Sequence, residues 1–592
     1  MSLLLNKLPG VEKIDVFYYT ENMYIKLKKY LLTVLFVSLI AACQSSPERE
    51  QAPVEQEFTG EQTAPDNGQT QESENGDFAQ TRPQPSELDE ITVVFSKYDM
   101  ELDFRKSYMA SEAQIFTAIY EGLFSYHPLT LEPVPALAER WAVSADKKQW
   151  TFTLRQNARF WNGDPVRAED FRAAWLSLLE PGRESPYSGL FDIIEGARDY
   201  RNGVEKDPNK VGISAPSPVT LVVKLNSPAS FFSAMLCHHS FSPIHPSMVN
   251  KASWSPSGRN SAWTPPVSNG PFRIVSMNDE SIVMQKNNFY WDQQRVALNK
   301  ITVKFSETAD EASHMWNSGE ARWISGDVNL DTLTDRSGIQ INVMFATHYY
   351  FFRCADAPWN DYRIRRAMVL VLPWEEIRSG HFLPAQTLIF PITGYPTVKG
   401  ITEADYDEAK RLMAQAGYQN GSMMPELVIR LTPSRDAVRI GALMANAWKE
   451  ILGINVRVEV IPYERYFQAM KESGYIVGSS TWIGDFADPY AFLQMWRRDS
   501  NLNDSLLDDK DYEALIDRSM IEEGEVRLAT LAEAEKILLD RGVVLPISYS
   551  PALNIVDTGE LDGWYPNALD IHPFKYFLFK AYRPLPGVAS AR

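Results

Sequence analysis

The chain has 592 residues, 44% hydrophobic and 23% charged, which suits a soluble protein of two or three domains. Its net charge of −18 is unevenly placed: residues 44–90 hold 12 acidic and 2 basic side chains, whereas residues 1–43 hold 5 lysines against 3 acidic groups. No basic patch marks a nucleic-acid partner, and three cysteines, Cys43, Cys237 and Cys354, are too few for a disulfide framework in so long a chain.

Lys26, Lys28 and Lys29 precede an apolar stretch, Tyr30 to Ala42, of 13 residues. That is short of the roughly 20 residues a spanning helix needs. A positive flank, a short apolar run and small residues before a break describe a secretory signal, with Met23 the expected start. Leu39-Ile40-Ala41-Ala42-Cys43 resembles a bacterial lipobox, which implies that Cys43 is lipidated and holds the mature chain to a membrane. Residues 1–43 are thus read as signal peptide. Residues 44–90, rich in Glu, Gln, Pro and Ser, cannot recover their ordering entropy by burial and read as an acidic tether. Gln44 and Ser45 lack the Asp that, in some diderm bacteria, retains lipoproteins at the inner membrane. Placement facing the periplasm and placement at the cell surface both stay open.

From Ile91 the pattern becomes globular. ITVVF (91–95) predicts a strand and Ser111–Tyr120 a helix ended by Glu121-Gly122. Trp150, Phe152 and Leu154 alternate with polar residues, Asn162-Gly163-Asp164-Pro165 supplies a turn, and Ala168–Leu179 is amphipathic. LVVKL (221–225), SIVMQKN (281–287) and ITVKF (301–305) read as strands, and Phe231–Leu236 as a short helix. Further on, Ala404–Ala416, Ala437–Leu452, Glu464–Lys471 and Leu531–Leu539 predict helices. INVRVEVIPY, Tyr475–Val477 and VVLPISYS predict strands.

No P-loop, dinucleotide fingerprint, HExxH or zinc-ligand cysteine spacing occurs, and there is no nucleophile elbow. His238 and His245 are poorly spaced for a metal. Asp508-Asp509 and Glu522-Glu523 read as solvated faces. The expectation is a protein with no catalytic residues, no metal and no cofactor.

Three ordered blocks carry a resemblance. The first is Tyr120-Glu121-Gly122-Leu123-Phe124 with Pro133 to Trp141 and WTFTLRQNARFWNGDPVRAEDF; the second is Ser268-Asn269-Gly270-Pro271-Phe272 with Asn287-Asn288-Phe289-Tyr290-Trp291. The third is Asn360 to Ala367, WKEILGINVRVEV and TWIGDFADPYAFL (481–493). Over roughly 91 to 580 the chain resembles the family 5 bacterial extracellular solute-binding proteins, the oligopeptide/dipeptide receptors of ABC transporters. The resemblance implies an α/β fold of the periplasmic-binding-protein class II (cluster C), with two hinged lobes and an extra domain in the first. The expected parts are lobe I from 91–123, 250–345 and 545–592, an extra domain at 124–249, and lobe II at 346–544. The implied function is a monomeric, lipid-anchored receptor that binds short peptides with a free N-terminus and delivers them to an ABC permease. Two alternatives stand beside it: the same fold binding a non-peptide solute, and a surface lipoprotein serving adhesion or host-protein interaction.

In the family an Asp three residues after a Trp pairs with the peptide α-amine; the matching residues are Trp482 and Asp485. An ammonium withdrawn from water needs such a charged acceptor. Capping of a helix near Asp488 is the alternative role for Asp485, and Asp488 is the better cap. The resemblance also implies ligand contacts at Ile483 and Gly484, the latter by close main-chain approach, and a strand-like edge at Met109 and Ala110 pairing with ligand backbone. Two departures stand out. Ser479 replaces an Arg that in relatives helps hold the ligand carboxylate, and Pro373-Trp374 replaces Asp-Arg. Cys237 and Cys354 are expected to remain free thiols.

Overall fold

The computed structural model describes residues 89–251, 254, 263–400 and 402–580. The signal, lipidation and most of the tether assignments, Cys43 among them, lie outside the described residues. The body begins slightly earlier than its hydrophobic pattern suggests. Strand β1 is Glu90–Ser96, and Asn299 and Lys300 already donate to the Asp89 carbonyl. The central residues of β1 are buried on both faces because it runs parallel between two neighbours.

Ten strands make one mixed sheet. In chain order they are β1, then β6 (Phe272–Met277), β7 (Ser281–Lys286), β8 (Lys300–Ser306), β9 (Trp323–Ser325), β10 (Ile339–Phe352), β11 (Leu427–Leu431), β12 (Val456–Val460), β13 (Val477–Ile483) and β14 (Val544–Val556). Their spatial order is β12–β11–β13–β10–β14–β9–β1–β8–β7–β6. The two longest strands, β10 and β14, lie at the centre and pair antiparallel with register shifts between Val343 and Thr347 and between His348 and Tyr349. At the first shift Phe345 leaves the ladder, donating to Ala568 and accepting from Gly484. A second, four-stranded antiparallel sheet, β2 (Ala138–Val143), β3 (Gln149–Leu154), β5 (Thr220–Lys224) and β4 (Ile213–Ser217), packs on helix α2 (Ala168–Leu178).

The sequence blocks that signal the fold are packing knots. Helix α1 (Ala110–Ile119) ends where the Gly270 N–H donates to the Ile119 carbonyl at 2.8 Å. A Cβ on Gly270 would stand 2.4 Å from Ile119 C, so only glycine allows that approach. Asn269 reaches the Glu121 carbonyl and Asn287 the Gly270 carbonyl. The buried Glu121 carboxylate collects Tyr290, Trp291 and Lys575 at 2.5, 2.5 and 2.9 Å. Asp361 caps helix Tyr362–Leu370. Trp374 is buried, donates to the Val369 carbonyl and carries the Arg378 guanidinium 4.1 Å above its ring. The Pro373-Trp374 departure is therefore a packing change away from the cleft. Cys237 and Cys354 are both free and buried.

Candidate binding cleft

Helix α1, the His238 segment, helix α3 (Tyr463–Lys471), strand β13 and the turn after β13 enclose a cavity of about 310 Å³. That lies at the small end of the roughly 300–1,000 Å³ typical of ligand sites. All six predicted cleft residues, Met109, Ala110, Trp482, Ile483, Gly484 and Asp485, line it.

One wall is β13 itself. It pairs with β10 along its whole length, but on its other side the only ladder partner among the described residues is Ile429, at Val477. Beyond that point the edge is open. The Ser479 N–H donates to the Tyr466 hydroxyl at 3.0 Å, and that hydroxyl lies 2.9 Å from the Ser479 carbonyl. Gly484, of opposite parity, donates instead toward β10, to Phe345. The two-residue alternation of a strand therefore turns the N–H and C=O groups of Thr481 and Ile483 to the open edge.

Asp485 follows the end of this strand. Its backbone carbonyl accepts from Tyr126 at 3.1 Å, and His238 Nε2 stands 3.6 Å from Oδ1. Oδ2 is buried and has no partner. Burial pushes the carboxyl up to about 8, against the opposing hydrogen bond from Tyr187. Burial also holds His238 down at about 3 and His239 well below its ordinary range, so both imidazoles are neutral at pH 7. The helix-capping role belongs to Asp488, which accepts from the Tyr490 N–H and pairs with Arg527. Asp485 is thus a buried carboxyl, mostly protonated at pH 7, whose Oδ2 has no partner.

One expectation needs correction. Met109 is extended, but Ala110 opens helix α1, so the predicted strand-like edge is a helix start. A Cβ on Gly484 would meet Phe345 Cδ1 at 2.4 Å and Phe492 Cε2 at 3.0 Å. Aromatic packing behind the wall by itself requires glycine at this position. Ser479 lines the cavity but its hydroxyl and backbone are engaged by Tyr466. Sequence reasoning missed the aromatic contribution of Tyr126, Tyr187 and Tyr466, which sit in segments without a motif. It also missed Lys471, the last residue of the helix Tyr463–Lys471, and Lys575 in the short turn Phe574–Tyr576.

The sequence model of the bacterial extracellular solute-binding proteins, family 5 Middle, matches residues 132–504. The chain belongs to that family. Members bind solutes and do not convert them. The dipeptide-binding protein DppE of Bacillus subtilis is 28% identical over 436 residues, 71% of this chain and 79% of the relative. The solved murein tripeptide binding protein MppA of Escherichia coli superposes with a TM-score of 0.74 at 24% identity, covering 84% of this chain and 99% of that one. Its unliganded open form superposes at 0.56, over 83% and 98% of the two chains and again at 24% identity. The two-lobed class II binding-protein fold is thus common to this chain and to both forms.

Proposed function

We propose that the protein is an extracytoplasmic receptor that binds short peptides with free N-termini in this cleft and passes them to an ABC permease. The single observation that carries the reading is the buried, unpartnered Oδ2 of Asp485 on the cavity wall. An ammonium there gains a charge-assisted bond in a site shielded from water. The open edge at Thr481 and Ile483 supports main-chain pairing with a ligand of any sequence, which gives affinity without side-chain selection. Trp482 and Ile483 pack beside it, with the Trp482 Nε1 tied to the Ala491 carbonyl. Met109 and Ala110 face the same space from helix α1.

In this reading 91–123, 250–345 and 545–592 form one lobe, 346–544 the other, and 124–249 an extra domain. Lipidated Cys43 and the acidic tether hold the monomeric receptor at the membrane. Titration calorimetry with paired free and N-acetylated peptides tests the proposal. Free peptides are expected to bind and acetylated ones to lose about 100-fold in affinity. Equal binding by both contradicts the assignment of Asp485.

A further inference from the structure

Asp485 leaves Oδ2 without a partner, and the group beside its other oxygen is a histidine. His238 Nε2 stands 3.6 Å from Oδ1, and the two side chains are only 5% and 9% exposed. Local backbone fixes the tautomer of this ring. His238 precedes the short turn His239–Phe241, and its Nδ1 accepts from the Ser240 N–H at 3.3 Å. A neutral imidazole that accepts at Nδ1 carries its proton on Nε2, so the group facing Oδ1 is an N–H.

The surroundings hold this ring in place and keep it uncharged. The His239 ring lies 3.9 Å from it and the Tyr187 ring 4.4 Å, centroid to centroid. Two stacked imidazoles resist taking a positive charge, and burial reinforces this. The other titratable groups at the pair are Tyr187, Cys237 and Tyr126, whose hydroxyl is on the Asp485 carbonyl. Burial pushes all three up, so they are neutral at pH 7. Glu112 acts on Tyr187 and Lys575 on Cys237, but these two are bonded elsewhere, to Ser107 and to Glu121. A cationic histidine here would cancel the charge of Asp485 and compete with a ligand ammonium. A neutral donor steadies the carboxylate and leaves its charge available. The 3.6 Å separation is longer than a hydrogen bond, which suits a carboxyl that keeps its proton in the empty cleft. A charged Oδ1 would draw the N–H in to the about 2.7–2.9 Å of a charge-assisted bond.

Resting on the peptide reading above, we propose that His238 is a positioning residue of the cleft: its Nε2–H holds Oδ1 of the Asp485 carboxylate and leaves Oδ2 for the incoming ammonium. The bond forms on ionisation whether or not a ligand is present. His238 therefore also sets the pH above which the cleft is ready for its ligand.

Calorimetric titrations of one peptide with a free N-terminus into the full chain, from pH 6 to pH 9.5, compare wild type with His238→Phe and His238→Gln. Phenylalanine keeps a ring between Tyr187 and His239 but offers no donor, whereas glutamine can return an N–H to the place of Nε2. The wild type is expected to bind about tenfold more tightly than His238→Phe at pH 6, and the ratio should fall to about twofold by pH 9 as Asp485 ionises in both proteins. The peptide's own titration cancels in that ratio. His238→Gln should recover most of the difference. A ratio that stays constant with pH marks a merely structural role and overturns the inference, as does wild-type affinity throughout in His238→Phe. Should that variant fail to fold, nitrogen NMR of histidine-labelled wild type decides. A ring protonated on Nε2 whose proton moves downfield on peptide binding is expected, and a ring protonated on Nδ1 overturns the inference while the peptide reading stands. If free and N-acetylated peptides bind the wild type alike, the peptide reading falls and takes this inference with it.

Discussion

In the proposed receptor Asp485 costs the empty protein stability and would give the occupied one its grip. Its carboxyl titrates near about 8 in the cleft, against about 3.9 in an unfolded chain. Between those values the folded state keeps a proton that the unfolded state has released. Its contribution to stability is therefore full below about pH 4 and declines as pH rises toward 8. Asp485→Asn is expected to raise the melting temperature of the ligand-free protein at pH 8 while nearly abolishing peptide binding; scanning calorimetry beside a binding titration reads both. Binding carries the opposite pH slope. Below pH 8 an incoming ammonium must expel the Asp485 proton, so affinity should climb by up to tenfold per pH unit on approaching pH 8. It should fall again as the peptide α-amine, with a pKa of about 7.7–8.0, loses its own proton. Titrations at pH 6 in buffers of different ionisation enthalpy should register close to one proton released per peptide; none released would contradict the buried, neutral state. Asp485 itself was legible through the Trp482-to-Asp485 spacing. The place of Tyr187 beside it was not, because a tyrosine acquires meaning only from what the fold brings beside it.

Among the elements, β13 and the turn after it set the cleft's shape. Gly484→Ala would push a methyl group against Phe345 and Phe492. It should cost about 1–3 kcal/mol of stability and displace Asp485 as well, lowering both melting temperature and affinity. A variant of unchanged stability would show that the aromatic contact yields freely. Helices such as Arg435–Leu452 were readable because they bury one face, here between the Ser434 cap and Gly453, whereas Tyr362–Leu370 and Lys510–Ser519 were not predicted. The two long central strands were harder. β10 shows no clean alternation because its ladder to β14 is interrupted around Phe345 and β13 joins it only from Ala346, and β14 contains Pro546 and Pro551, which ordinarily argue against an interior strand. Both prolines sit beside the register shifts, opposite Tyr349 and Val343, where the ladder is already irregular. The first two sequence blocks contribute the residues of the knot around Glu121 and Gly270.

At the scale of the molecule, the block that carries the four-stranded sheet meets the segment after β13 through a charged network. Arg198 reaches Asp499, Glu513 and Asp517, and Arg201 reaches Asp499. Asn501 donates to the Ser185 carbonyl. If closure brings these groups together, Arg198→Ala should weaken peptide affinity a few-fold, about 1 kcal/mol, without touching the cleft. Raising salt should narrow the difference between variant and wild type. Small-angle scattering of the ligand-free pair should show the variant more open, and identical profiles would remove the network from the closing equilibrium.

The most direct measurement of the central claim is native mass spectrometry of the full-length protein as purified, followed by release and identification of what it retained. A mixed population of short peptides with free N-termini, lost in Asp485→Asn, is the predicted result. A single non-peptide mass, retained by that variant, would contradict the account and assign the cleft to another solute.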